Sequence, residues 1–268
     1  MLQPVIDLVA VAYNAATETA RFLDSLGKVG VPFSLLVIEN RSTDPQVLTV
    51  LEKWREQIKA IPECVGYAVL PQDQNLGYAR ACNMGASLGS APYLALLNCD
   101  IAFEEGCVQT IVDYFEANPR AGVVGPRTTT SAGLLTHAGI VREIGGRDLH
   151  RAWLQPNGPQ YADTMSVPTV SGATYFVRRT AWSELTDCHL FQEEAMGAKG
   201  AFLPTKHFYE ETWCSYHARA HDWDVVYLGA AKMVHEWHKS SPVGSIPLHE
   251  AEEQFRKACA HHDIELSF

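Results

Sequence analysis

Three short apolar runs, each closed by a cluster of polar residues, constrain the fold of this chain more than any other feature. Residues 5–13, 35–38 and 93–97 are nearly unbroken in Val, Leu, Ile and Ala. Runs too short for helices and without polar alternation are the pattern of parallel strands buried on both faces, and helices are expected between them. Thr17 can cap a helix to about Leu26 that stops at Gly27. Asp44 followed by Pro45 reads as an N-cap with Pro in the first helical position, opening a helix to about Ala60. A weaker strand over 66–70 and helices over 79–88 and 105–117 complete a first half, to about residue 120, that reads as an open α/β sheet.

The second half changes character. Strands are expected at 122–126, 139–143 and 173–178, separated by a Gly- and Pro-rich stretch from 145 to 168. Residues 188–206 hold Gly197, Gly200 and Pro204 without a clear period, which suggests a mobile loop of the kind that serves as an active-site lid. A helix over 210–221, strands over 224–228 and 232–235 and a last helix over 250–261 follow. A chain of 268 residues buries roughly 70–75% of its unfolded surface, so its core needs no disulfide or structural metal.

Charge narrows the partners. With 31 acidic against 21 basic residues the net charge is -10, and no run of Lys or Arg occurs, which argues against nucleic acid or an anionic membrane. The Cys residues are scattered without a C-x-x-C pair, which suits reduced thiols in the cytoplasm better than a disulfide framework or a zinc site. The N-terminal segment carries an acid inside its first apolar run and no basic flank, so it reads as a strand and not a signal peptide. No apolar stretch approaches the roughly 18–20 residues that cross a bilayer.

In an open α/β sheet, ligands bind beyond the carboxyl ends of the strands. There the chain places Tyr13-Asn14, then Glu39 to Asp44, then Asn98-Cys99-Asp100. Turns are polar in any protein and Asp44 suffices as a helix cap, but the recurrence at one edge favours a site. The segment from Gln74 to Arg80 turns from strand to helix through Gly77, leaving Arg80 where amides and a guanidinium can hold a phosphate together. Neither a Walker A loop nor a G-x-G-x-x-G after the first strand is present, so triphosphate hydrolysis and dinucleotide redox chemistry lack their usual signatures. Asp100 is placed to hold a hard divalent ion with positions left open for a diphosphate. His235 ends another apolar strand, with His238 three residues on, although a strand-end His is more often structural. Glu210-Glu211 opens a helix after the loop; acids there complement the helix dipole, and one of them can also act as a general base.

Taken in order, these segments resemble the glycosyltransferase family 2 group, especially its bacterial rhamnosyltransferase-like members. The family's S-Y-N corresponds to Ala12-Tyr13-Asn14, and its V-D-N-x-S-T-D to Ile38-Glu39-Asn40-Arg41-Ser42-Thr43-Asp44. N-x-G-[FY]-[AG] matches Asn75-Leu76-Gly77-Tyr78-Ala79, and L-N-P-D matches Leu97-Asn98-Cys99-Asp100. S-G-A before an apolar strand and R-R matches Ser171-Gly172-Ala173 to Arg178-Arg179. An acidic pair opening a helix, then G-[WY]-x-[VI]-x-Y and a strand ending in His, matches Glu210-Glu211, Asp222 to Tyr227, and His235. Each motif is weak alone, but together and in order they form a strong signal over residues 5–240.

The resemblance implies a GT-A fold: a Rossmann-like, open, mostly parallel sheet flanked by helices, in a single domain over residues 1–268. Residues 1–120 would bind a nucleotide sugar. Residues 121–268, a less regular α+β portion, would bind the acceptor and carry catalysis. The implied reaction is an inverting, metal-dependent transfer of a hexose or deoxyhexose from a UDP- or dTDP-sugar to a hydroxyl of a carbohydrate or other acceptor, in polysaccharide or glycoconjugate synthesis. Donor contacts are implied at Ala12, Tyr13, Asn14, Glu39, Asn75, Gly77, Arg80, Asn98 and Cys99, with Gly172 and Ala173 on the acceptor side. Asp100 and His235 would hold Mn2+ or Mg2+. Glu211, with Glu210 beside it, would be the base, expected to be ionised at neutral pH by the helix N-terminus.

Three positions depart from the family. Glu39 and Glu211 stand where Asp is usual, so each carboxylate reaches one methylene farther, and Cys99 replaces a common Pro. Glu39 is expected either to accept the N3–H of uracil or thymine or to hold its turn. Sugar-nucleotide nucleotidyl transfer would want a Gly-rich basic loop that residues 13–18 lack. A non-catalytic nucleotide-sugar binding protein would not need both Asp100 and Glu211.

Overall fold

A computed structural model describes residues 2–142, 148–188, 199–205, 208–237 and 248–266. The chain runs β1 (Ile6–Ala12), α1 (Ala16–Asp24), β2 (Phe33–Glu39), α2 (Gln46–Gln57), β3 (Cys64–Pro71), α3 (Tyr78–Ser87) and β4 (Tyr93–Asn98). Then come β5 (Ile101–Phe103), α4 (Cys107–Ala117), β6 (Ala121–Thr129), β7 (Leu135–His137), β8 (Ile140–Arg142), β9 (Asp148–His150) and β10 (Thr164–Ser166). The last elements are β11 (Thr174–Arg178), α5 (Arg179–Cys188), α6 (Glu210–Ala220), β12 (Asp224–His235) and α7 (Leu248–His261). The main path of the large sheet is β10-β12-β6-β11-β4-β1-β2-β3, with β5 on β12 and β7 on β6. Its β4-β1-β2-β3 stretch is parallel, as the apolar runs require, and β11 joins it antiparallel to both β4 and β6.

Strand alternation divides the apolar residues between two cores. From β1, Leu8, Ala10 and Ala12 pack with Phe22 of α1, Leu51 of α2 and Phe115 of α4. Val9 and Val11 pack with Ala81 of α3, Trp182 of α5 and Cys214 of α6 on the other face. Fully burying each of the larger side chains contributes about 1.5–3 kcal/mol. β3 is the outer strand and is only half-buried, which is why its run is the weakest in the sequence.

The first strand carries a buried acid. Asp7 of β1 accepts hydrogen bonds from the Ser34 hydroxyl at 2.5 Å and the Ala91 amide at 2.7 Å, and its Oδ2 is 2.6 Å from a guanidinium nitrogen of Arg179. Arg179 also donates to the Ala86 and Ala91 carbonyls. Arg178 donates to the Phe115, Asn118 and Ala121 carbonyls and so closes the end of α4.

Several expectations change. α1 starts at Ala16, not after Thr17: Asn14 and Ala15 are both left-handed and turn the chain, with no side-chain cap. The two strands expected over 224–235 are one, β12, whose pairing with β6 shifts register between Leu228 and Lys232. α2 begins at Gln46 with Pro45, and not Asp44, at its N-cap, although Asp44 Oδ1 does accept the Gln46 amide at 2.9 Å. Of the loop expected over 188–206, residues 189–198 (with Gly197) and 206 lie outside the described residues. The rest of it is not a free hinge: Ala201 and Phe202 are fully buried, and Asn83 holds Phe202 by hydrogen bonds of 2.9 and 3.1 Å to its carbonyl and amide. A Cβ on Gly200 would collide with that Asn83 carboxamide, so close packing explains this glycine. Glu143, the end of an expected strand, is also outside the described residues; β8 covers the part before it. All seven Cys are free thiols. Among the described residues no helix is long and apolar enough to cross a membrane.

Candidate active site

Strand register brings the polar segments to one edge: Ala12 lies opposite Glu39, Glu39 opposite Pro71, and Val11 opposite Asn98. Side chains then join loop to loop. Asn14 Oδ1 accepts from the Thr43 and Asp44 amides at 2.9 and 3.2 Å, while its own amide donates to Ser42 Oγ at 2.9 Å. Asn40 Nδ2 donates to Asn75 Oδ1 at 3.0 Å, and Asn40 Oδ1 accepts the Leu76 amide at 2.9 Å. Asn75 Oδ1 also takes the Gly77 amide at 2.8 Å. Three loops thus form one hydrogen-bonded ledge, with the buried Asn40 at its centre. Asn40 was not among the expected site residues; its place between Glu39 and Arg41 at a strand end was the available signal.

The other expected residues fall around this ledge. Glu39 is buried, and its Oε1 accepts the Ser42 amide at 2.7 Å, so one oxygen holds the turn. Tyr13 is half-buried beside it. Gly77, at φ 76°, makes a turn that a residue with a Cβ rarely adopts and starts α3, leaving half-buried Arg80 in the first turn. The Cys99 thiol belongs to the core under α1, beside Thr19, and burial pushes its pKa up. Of the nine non-glycine residues at positive φ among the described residues, five (Asn14, Ala15, Arg41, Phe208 and Tyr209) lie in loops that carry or flank the candidates. Such strain concentrates at functional sites.

Asp100 and His235 meet although 135 positions separate them. β12 runs antiparallel to β5, His235 pairs with Ile101, and the Glu236 amide donates to the Asp100 carbonyl at 2.9 Å. His235 Nε2 is 3.5 Å from Asp100 Oδ1, with both side chains almost wholly buried. His235 Nδ1 has no hydrogen-bond partner among the described residues. No group of three or more His, Cys, Asp and Glu among the described residues is arranged to enclose a metal. A carboxylate oxygen and an imidazole nitrogen are donors of the kind a divalent ion accepts, and the pair would supply two of its ligands. His238 lies outside the described residues. A cavity of about 330 Å³ also borders Asp100, walled by Glu18, Arg21, Asp24, Lys28 and Glu236; none of Glu39, Asn75, Arg80 and Glu211 lines it.

The acidic pair sits on the second-half side of the edge. Tyr78 of α3 donates to the Gly172 carbonyl at 2.7 Å, and the Asn98 amide donates to the Ala173 carbonyl at 3.0 Å. A Cβ on Gly172 would lie 3.1 Å from Glu211 Cδ, so the glycine lets this carboxylate lie against the strand. Glu211 is partly exposed while its Oε2 is buried without a hydrogen-bond partner among the described residues. Glu210 is buried, 3.3 Å from the Thr205 hydroxyl, which already donates to the Phe208 carbonyl at 2.8 Å.

Burial raises the pKa of both acids, and the charge of Glu211 raises Glu210 further, while the Glu211 and Thr212 amides oppose the rise at Glu211. The helix N-terminus acts in the expected direction, but desolvation outweighs it. Glu210 is the more strongly raised, and in its protonated form its O–H can donate to Thr205 Oγ1.

A buried carboxyl whose folded pKa exceeds its unfolded value favours folding below the unfolded value and loses that advantage as pH rises through the folded one. Glu210→Gln, neutral at every pH, is therefore expected to melt near the parent at about pH 5 and above it at about pH 8. Paired melting curves at the two pH values check this; a variant less stable than the parent at the higher pH would show that Glu210 is held as a favourable anion.

The family model "Glycosyl transferase family 2" matches residues 7–170. The chain is 27% identical over 172 residues to "O-antigen biosynthesis protein RfbC" of Myxococcus xanthus, covering 63% of this chain and 12% of that protein. It is 30% identical over 136 residues to "N-acetylglucosaminyl-diphospho-decaprenol L-rhamnosyltransferase" of Mycobacterium tuberculosis, covering 46% of this chain and 40% of that one. The chain thus spans well under half the length of these relatives. Among solved structures it resembles GalNAc-T7 with UDP, GalNAc and Mn2+, with a TM-score of 0.69 at 12% identity over 96% of this chain and 48% of that one. It also resembles S. aureus TarS 1-349 in complex with UDP-GlcNAc, with a TM-score of 0.65 at 14% identity over 95% and 65% of the two chains.

Proposed function

Because the chain belongs to glycosyl transferase family 2 and has the GT-A fold, we propose that it transfers a hexose or deoxyhexose from a UDP- or dTDP-sugar to an acceptor hydroxyl with inversion, in polysaccharide or glycoconjugate synthesis. The observation that carries this reading is the pairing of a ledge at the ends of β1–β4 with a poised carboxylate, Glu211, on Gly172 across the same edge. The named activities of the rhamnosyltransferase and O-antigen relatives support it.

In this reading the ledge from Asn14 to Gly77 receives the nucleotide, and Arg80, with the first amides of α3, meets the diphosphate. Asp100 and His235 would hold Mn2+ or Mg2+, which when bound supplies Lewis-acid neutralisation of the departing diphosphate charge. Glu211 removes the proton from the acceptor hydroxyl as its oxygen bonds to the anomeric carbon and the glycosyl–phosphate bond breaks, releasing the nucleoside diphosphate. A single displacement of this kind inverts the anomeric centre. Tyr78, through Gly172, orients the strand against which Glu211 lies.

Incubation with a panel of UDP- and dTDP-sugars and Mn2+ tests the reading: donor turnover is expected, and sugar-nucleotide formation from a sugar phosphate and a nucleoside triphosphate instead would favour nucleotidyl transfer. Calorimetry with UDP is expected to show binding with Mn2+ that is lost in EDTA, and no metal dependence in Asp100→Ala. Equal UDP affinity with and without metal in the parent would remove the ion from the reading.

A further inference from the structure

We propose that Trp153 and Trp237 form a stacking corner for a pyranose ring of the acceptor, a subsite beside the Asp100–His235 edge; the proposal rests on the transfer reading above. Trp237 follows His235 by two residues, so the chain places its Cα within about 7 Å of that strand end. Its side chain is 40% exposed. Trp153, from the turn after β9, meets it with ring centroids 4.7 Å apart and planes at 83°, and Trp153 rests in turn on His150 at 4.7 Å.

The turn that presents Trp153 is built, not loose. Arg151 donates to the Gly139 carbonyl at 2.9 Å, Leu154 to the Leu135 carbonyl at 2.8 Å, and Leu135 to the Gln155 carbonyl at 2.9 Å. Ala152 and Leu154, on either side of Trp153, have φ of 55° and 56°, a left-handed backbone that residues with a Cβ rarely adopt. This strain does not serve burial, because Trp153 stays partly exposed and Leu154 is 42% exposed. It fixes the direction in which the indole is shown, as strained backbone at binding sites does.

Two indoles at right angles offer a face and an edge, to which the flat C–H face of a sugar ring is complementary while its hydroxyls reach a polar rim. That rim is present: His150 and Gln155 are exposed, and Glu236 beside Trp237 accepts the Ser131 amide at 3.0 Å. An acyl or prenyl chain fits the same surface poorly. It would need an extended apolar groove, and the cavity that borders Glu236 and Asp100 is walled by Glu18, Arg21, Asp24 and Lys28.

The test uses the full chain labelled with 15N, the six indole N–H resonances being assigned with Trp153→Phe and Trp237→Phe. Methyl glycosides of glucose, galactose, N-acetylglucosamine and rhamnose are titrated with and without UDP and Mn2+. At least one glycoside is expected to shift the Trp153 and Trp237 indoles together, with affinity falling about ten-fold in Trp237→Ala and less in Trp237→Phe. UDP affinity by calorimetry should be unchanged in both variants. Indoles unmoved by all four glycosides, or moved only by dispersed decanol, would overturn the proposal, the second result assigning the surface to lipid. Failure of UDP to bind would count against the transfer reading alone, since the glycoside titration without UDP still decides this one.

Discussion

Glu211→Gln is expected to lower sugar transfer about 10²–10⁴-fold while donor affinity stays near that of the parent, since loss of a general base has this effect on rate. Gln keeps the shape that lies against Gly172 and removes only basicity. The pH profile carries a second expectation. Burial raises the Glu211 pKa, so the acid limb of kcat/KM should lie above the ordinary carboxylate range, and activity should rise with pH as Glu211 ionises. Glu210→Gln should act differently: an amide mimics the protonated carboxyl that burial favours at Glu210, and the variant should retain most of its rate with the acid limb little moved. Steady-state kinetics of both variants over pH decide the assignment. An inactive Glu210→Gln beside an active Glu211→Gln would exchange the two roles, and two active variants would remove catalysis from this helix.

The largest expected effect on stability is at Arg179. Its guanidinium and Asp7 are both largely buried, and Arg179→Ala would leave the Asp7 carboxylate inside the sheet with only Ser34 and Ala91 as partners. Removing one member of a buried pair costs about 3–5 kcal/mol, which for a chain of this size lowers Tm by roughly 10 °C. The Ala86 and Ala91 carbonyls would lose their donors as well. Arg179→Lys should recover only part of this loss, because an ammonium cannot reach the carboxylate and two carbonyls in a fork. Replacing the pair together, Asp7→Asn with Arg179→Met, should recover more. Urea unfolding followed by circular dichroism gives the three values. A parent-like Arg179→Ala would mean that water reaches Asp7. The doubled Arg of the sequence motif is therefore a fold device: Arg178 closes α4 and Arg179 neutralises β1.

The apolar runs were legible because β1, β2 and β4 are covered by helices on both faces, which leaves no room for polar alternation. β7, β8, β9 and β10 were mostly not, because three residues carry no period. α5 was missed for a different reason: β11 passes into it between Arg178 and Arg179 with no turn residue to mark the change. At the site, residue types at strand ends were readable, as was the acidic pair at the start of α6. The Asn40 bridge was not, because its partners lie some 35 positions away and only strand register brings them near. The upward pull on the Glu211 pKa was not legible, because the dipole argument follows from position in the helix, whereas desolvation depends on what covers the side chain.

The place of β11 has a consequence for how members of such a family can exchange parts. It comes late in the chain yet is hydrogen-bonded to β4, and its partner on the other side is β6. A recombinant that joins residues before about 120 from one protein to the remainder from another would cut through that β4–β11 seam and separate Asp7 from Arg179. If the strand-end loops bind a donor as proposed, its preference could not then be transplanted as a module by one crossover. Inheritance of a new donor would have to proceed through the loops at the strand ends, one segment at a time, on an undivided sheet.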